Sequence, residues 1–112
     1  MHIDLDNLDM LKEIIGDDLK EVLNVFLDST PDSILQLQNA IDSNTMPKIQ
    51  SLAHAIKGSA ANIGANQLSI LAGQIEQQAK LNNSANFAEL LPQVISENRA
   101  VEEALKTYMA NF

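Results

Sequence analysis

The stretch SLAHAIKGSAANIGA, residues Ser51–Ala65, decides how the chain folds. Together with Ile49 just before it, Leu52, Ala53, Ile56, Ala60 and Ile63 recur every three or four residues. At roughly 100° per residue they fall in one stripe less than about 120° wide, the core face of an amphipathic helix. His54 lies about 140° from the centre of that stripe, with Lys57 on one flank and Gly58 and Ala61 one and two turns onward. The imidazole therefore points away from the core. A glycine inside a helix costs about 1 kcal/mol relative to alanine, and an exposed face would accept almost any residue. Gly58 beside an outward histidine and an ammonium thus describes a place where another molecule's surface comes close to an imidazole.

His54-Ala55-Ile56-Lys57-Gly58-Ser59-Ala60, followed by Ile63-Gly64-Ala65, resembles the signature H-x-x-K-G-S-[SA]-x-x-x-G-[AL] of histidine-containing phosphotransfer (HPt) domains. Alanine at position 60, where serine is common, is one small departure. The likeness runs weakly through nearly the whole chain, because the family's order of helices on either side of the signature can be followed here.

The resemblance implies a phosphocarrier in a His-Asp phosphorelay. His54 would accept a phosphoryl group from an aspartyl phosphate on a receiver domain and pass it to the aspartate of another. The implied partners are response-regulator receiver domains and a hybrid sensor histidine kinase, and the receiver would supply Mg²⁺. The resemblance also implies a place for Glu76, because in similar domains the residue at this point of the following helix lies beside the histidine, often as glutamine. There it would fix the tautomer of the imidazole, leaving one nitrogen free to attack. Lys57 would partner the phosphoryl oxygens, and Lys80 is either a second cation or a solvated lysine. Receiver docking would involve Gly58 and Ala61 together with an apolar patch of Met10, Ile14 and Ile70. Ser59 points to the other side of the helix, as a packing or backbone-bonding residue.

Length and composition bound these readings. One hundred and twelve residues, 46% of them hydrophobic, make one domain with one core, residues 1–112. No run of about 18 apolar residues could span a membrane, and nothing resembles a signal peptide. The absence of cysteine removes disulfides and thiolate chemistry and fits a cytoplasmic protein. Seven Lys plus Arg against fifteen Asp plus Glu give a net charge of −8, which argues against nucleic acid as a partner. No phosphate-cradling glycine loop precedes a lysine, so the chain is not expected to phosphorylate itself from ATP or to be an enzyme in its own right. Two distant histidines with no further ligand cluster give no metal site. A monomer is the simplest expectation. The rival reading is a helical interaction module that binds a receiver or kinase domain without carrying phosphate.

Along the chain, Met1–Asp6 reads as an ordered lead-in or a frayed end, with His2 incidental. Leu5, Leu8, Leu11 and Ile15 form a short helix that Gly16 can end in a left-handed cap. Met10 and Ile14 sit off that stripe, as extra core or as an exposed patch. Asp17 or Asp18 can cap a second helix whose buried face is Leu19, Val22, Leu23, Phe26 and Leu27. Ile34, Leu37 and Ile41 continue the stripe in phase past Pro31, so one helix of about 25 residues, kinked near Thr30-Pro31, is favoured over two. Pro47 suits the first turn of the signature helix and Gly64 its exit. Asn66 can cap a fourth helix with Leu68, Leu71, Ala72, Ile75 and Ala79 as core; Glu76 and Lys80 share one flank, with Gly73 just beyond. After Asn82-Asn83-Ser84, Phe87, Leu91, Val94, Val101, Leu105 and Tyr108 mark a last helix that Pro92 kinks or delays. Asn98 on its seam is expected to be hydrogen-bonded at the bundle's edge. The fold expected is all-α: an antiparallel four-helix bundle with a short N-terminal helix packed across it.

Overall fold

Short polar turns separate five helices in the computed structural model, which describes residues 2–112. These are α1 (Leu5–Ile15), α2 (Asp18–Asp42), α3 (Met46–Asn62), α4 (Asn66–Lys80) and α5 (Phe87–Ala110). Among the described residues there is no strand. Helices α2 to α5 form a closed ring in which each packs on its two neighbours, α3 on α4 most extensively, and α5 returns to α2. Connections of three to six residues make consecutive helices antiparallel. The core runs down the middle: Leu19, Leu23 and Leu37 from α2, Ile49, Ala53 and Ile56 from α3, Leu68 and Ile75 from α4, and Val94, Val101 and Leu105 from α5 are all buried. At about 1.5–3 kcal/mol for each large side chain, this apolar burial is the main force holding the ring together.

Helix α1 lies across one end of the ring, where α3 stops and α4 starts. Asp4 accepts a hydrogen bond from the Asn7 amide and caps the helix, so α1 begins at Leu5, before the expected lead-in ends. Of the two readings of that lead-in, residues 2–6 take the ordered one. Ile3 is buried, and the Asp4 amide donates to the Gly64 carbonyl at 2.9 Å. Gly64 permits this approach: it has φ +78°, and a Cβ there would stand 3.1–3.3 Å from Asn7 and Asp4. At the other side of α1, the Tyr108 hydroxyl donates to Asp9 at 3.2 Å and the Lys12 ammonium lies 4.3 Å from the centre of the Phe112 ring.

Several expectations are corrected in detail. Leu8 is the one fully buried member of the α1 stripe, while Leu5 and Ile15 are substantially exposed, because an end-on helix touches the bundle along a narrower line than a helix lying beside it. Val22 is 43% exposed. The α2 core stripe runs Leu19, Leu23, Phe26, Thr30, Ile34, Leu37, and Val22 falls on its edge, over a shallow groove shared with Ser59 and Ile63. Helix α2 continues through Pro31 as a single helix of 25 residues, as its phase requires. Gly16 has φ +61° but ψ −135°, outside the left-handed helical region and open in practice to glycine. Asp17 stands before α2 without a side-chain cap bond, and α4 starts at Asn66 itself, so that the cap position falls to the buried Ala65, whose methyl group has no oxygen to accept a bond. Helix α5 begins at Phe87 and carries Pro92 within it. Asn98 is buried and only partly satisfied: its amide nitrogen is 3.5 Å from Glu102, and its Oδ1 has no protein partner.

Candidate functional site

His54 sits midway along α3, outside the core stripe, with its side chain 68% exposed. The helix spacing that buries Ala53 and Ile56 is what turns it outward. Across the α3–α4 seam, Glu76 belongs to the edge of the α4 core stripe and is nearly buried, at 7% side-chain exposure. Its Oε2 is 2.7 Å from His54 Nδ1 and its Oε1 is 2.6 Å from Lys57 Nζ. Lys80, one turn further along α4, brings its Nζ to 3.9 Å from the same carboxylate. The four polar groups that the sequence singled out from two helices are thus brought together around one carboxylate.

The electrostatics follow from that arrangement. A hydrogen bond from the Lys57 ammonium is the largest influence holding the Glu76 carboxyl below its ordinary pKa of 4.5; burial opposes it, and the contact with His54 adds to the lowering. Glu76 is therefore a carboxylate at neutral pH and can only accept, so the proton of a neutral His54 ring resides on Nδ1. Nε2 is left with its lone pair free on a largely exposed side chain. An open groove lined by Pro47, Gln50, Ser51, His54, Glu76 and Lys80 leads up to the ring from one side, while Lys57 flanks it from the other.

The remaining expected residues fall outside this circle. Gly58 is exposed, and a Cβ on it would meet nothing within 4 Å, so no contact within the chain accounts for the missing side chain. Ala61 is exposed on the same helix. Met10, Ile14 and Ile70 are 59%, 71% and 55% exposed, which gives the patch reading of Met10 and Ile14 over the core reading. Helix α1 closes the bundle at Gly64, ten residues past His54 and about 15 Å along the axis, so Met10 and Ile14 form an outlying part of any surface around the histidine. Beside the site, Ser69 escaped the sequence reading, which places Gly73 just beyond Glu76 and Lys80 without a role. Ser69 Oγ donates to the Lys57 carbonyl at 3.0 Å, and Gly73 lies against the Lys57 stem. Their spacing to Glu76, seven and three residues, was the available signal. Among the described residues no group of three His, Cys, Asp or Glu could hold a metal ion, and no helix is long and apolar enough to cross a membrane.

Residues 21–110 match the family model of the Hpt domain. The chain belongs to the Hpt family. Among curated relatives, this Hpt chain is 26% identical over 102 residues to the phosphorelay protein LuxU of Vibrio vulnificus strain YJ016, covering 91% of this chain and 89% of that protein. The fold is shared with histidine-containing phosphotransfer protein B of Pseudomonas aeruginosa PAO1, at a TM-score of 0.95 and 22% identity, over 99% of this Hpt chain and 96% of that one. It is also shared with the Hpt domain of a sensor hybrid histidine kinase from Shewanella, at a TM-score of 0.83 and 20% identity, with the same coverage.

Proposed function

We propose that this Hpt domain carries a phosphoryl group in a His-Asp phosphorelay, with Nε2 of His54 as the atom that bears it. The observation that carries the reading is the seating of Nδ1 against the Glu76 carboxylate at 2.7 Å, which frees Nε2 as the nucleophile on an accessible helix face. The Nε2 lone pair attacks the phosphorus of a receiver's aspartyl phosphate; the N–P bond forms as the P–O bond to the aspartyl carboxyl breaks, and the electron pair leaves on that carboxylate. The ring then bears a positive charge, and Glu76, holding the Nδ1 proton, stabilises it. Transfer onward is the reverse of these events at a second receiver. Lys57 and Lys80 partner the phosphoryl oxygens, while the receiver brings Mg²⁺ and the remaining charge stabilisation. The chain needs no ATP site for this and acts as an intermediate between other domains rather than as a kinase.

The partners on this reading are response-regulator receiver domains and a hybrid sensor histidine kinase in the cytoplasm. Docking uses the small residues Gly58 and Ala61, with Met10, Ile14 and Ile70 as outlying apolar contacts. The test is transfer from a panel of phosphorylated receivers to the wild type and to His54→Gln. Acid-labile, base-stable label on the wild type alone is the expected result. Receivers that bind without moving label would favour the interaction module instead, and label on the variant would remove His54 from the role.

A further inference from the structure

Gly73 lies inside α4 with an ordinary helical backbone, where alanine would hold the helix better. The space of its missing side chain is filled by Lys57. A Cβ at Gly73 would stand 3.2 Å from Lys57 Cδ and 3.9 Å from Cγ, the first of these inside the separation of about 3.5–4.0 Å at which carbons attract. One turn earlier on the same stripe, Ser69 Oγ donates to the Lys57 carbonyl at 3.0 Å; three residues later, Glu76 receives the Lys57 ammonium at 2.6 Å. Lys57 is thus held along α4 at three levels, by its backbone, its stem and its head.

We propose that Gly73 is a positioning residue for phosphoryl transfer: its bare backbone is the channel along which the Lys57 stem lies, so that the ammonium reaches Glu76 beside His54. A side chain at position 73 displaces the stem and lets the ammonium swing toward solvent, away from both the carboxylate and the phosphoryl group. The consequence for transfer rests on the carrier role proposed above; the placement of Lys57 does not.

The experiment compares Gly73→Ala and Gly73→Leu in the wild-type background and in Lys57→Ala, where the stem is gone. Two quantities are read: the initial rate of phosphoryl uptake from a phosphorylated receiver domain, and the titration midpoint of the Glu76 carboxyl by carbon NMR. With Lys57 present, Gly73→Leu slows uptake by about fivefold and Gly73→Ala by about twofold, effects of the size expected between residues in contact. In the same variants the Glu76 midpoint rises toward 4.5, because the ammonium that lowers it has moved. With Lys57→Ala, neither substitution changes the rate or the midpoint further. Equal rate losses in both backgrounds would mean obstructed docking and overturn the proposal, as would an unmoved Glu76 midpoint in the folded variants. If no receiver labels the wild type, the carrier role fails by itself, and the carboxyl titration still decides whether Gly73 places Lys57. Gly73→Ala favours the helix intrinsically, so it serves should Gly73→Leu not fold.

Discussion

The two histidines of this chain each meet a glutamate, and nearly at the same distance. His54 Nδ1 lies 2.7 Å from Glu76 and His2 Nδ1 lies 2.8 Å from Glu97, both glutamates being mostly buried. What surrounds the pairs differs. Glu76 also holds Lys57 at 2.6 Å and faces Lys80 at 3.9 Å, and His54 rides on the middle of a packed helix. Among the described residues no Lys or Arg pairs with Glu97, and His2 sits in the irregular segment ahead of α1, reaching α5 across 95 residues of sequence. An imidazole–carboxylate contact is therefore not in itself a reactive site; here the first pair holds an imidazole within reach of two cations, and the second fastens the segment ahead of α1 to α5.

The largest expected effect separates the two glutamates. Glu76→Ala removes the acceptor that selects the Nδ1 tautomer, and phosphoryl uptake by His54 should slow by about tenfold or more, the usual consequence of losing a partner that orients a functional histidine. Glu76→Gln keeps an acceptor oxygen and should recover most of that loss. Glu97→Ala should leave the rate within about twofold, since its histidine takes no part in transfer. Equal losses from Glu76→Ala and Glu97→Ala in the same uptake assay would dissolve the distinction between the pairs.

A smaller effect concerns stability and pH. The folded Glu76 carboxyl titrates below its ordinary 4.5, chiefly through Lys57, so its ionisation favours the folded state. That contribution is fully present above about pH 4.5, where the unfolded chain is also ionised, and is lost as pH falls through the folded pKa. In urea unfolding, the margin of the wild type over Glu76→Gln should be constant above about pH 5 and shrink steadily below it. A margin that grows on acidification would contradict the assigned direction. The smallest effect belongs to His2. With its side chain 54% exposed, His2→Ala should cost less than about 1 kcal/mol. Hydrogen exchange would show the change confined to Ile3, Asp4 and the start of α1.

The sequence made the helices readable because their apolar spacing is continuous, even through Pro31, where phase outweighed the local preference of proline. It made His54, Lys57 and Glu76 readable through the signature and the helix that follows it. Periodicity places a residue on a face but does not say how wide the covered strip is, and so Val22, Leu5 and Ile15 were expected deeper than they lie. Asn66 looked like a cap because its chemistry suits one; the structure makes it the first residue of α4 and leaves the cap position to the buried Ala65. Ser69 and Gly73 acquire meaning through the register of α4 against α3, which no single-helix pattern contains. His2 and Glu97 were illegible for the same reason at greater distance, since nothing local to either residue points to the other.

The ring of helices also bears on how quickly the chain can reach this structure. Every large interface but one joins helices adjacent in sequence, and only α5 must find its way back to α2. Such mostly local topologies close few long loops before contacts form, and domains of this kind fold within microseconds to milliseconds. The slow event left to this chain is the return of α5, so the transition state for folding should contain the α3–α4 hairpin first, the same pair of helices that later presents the histidine.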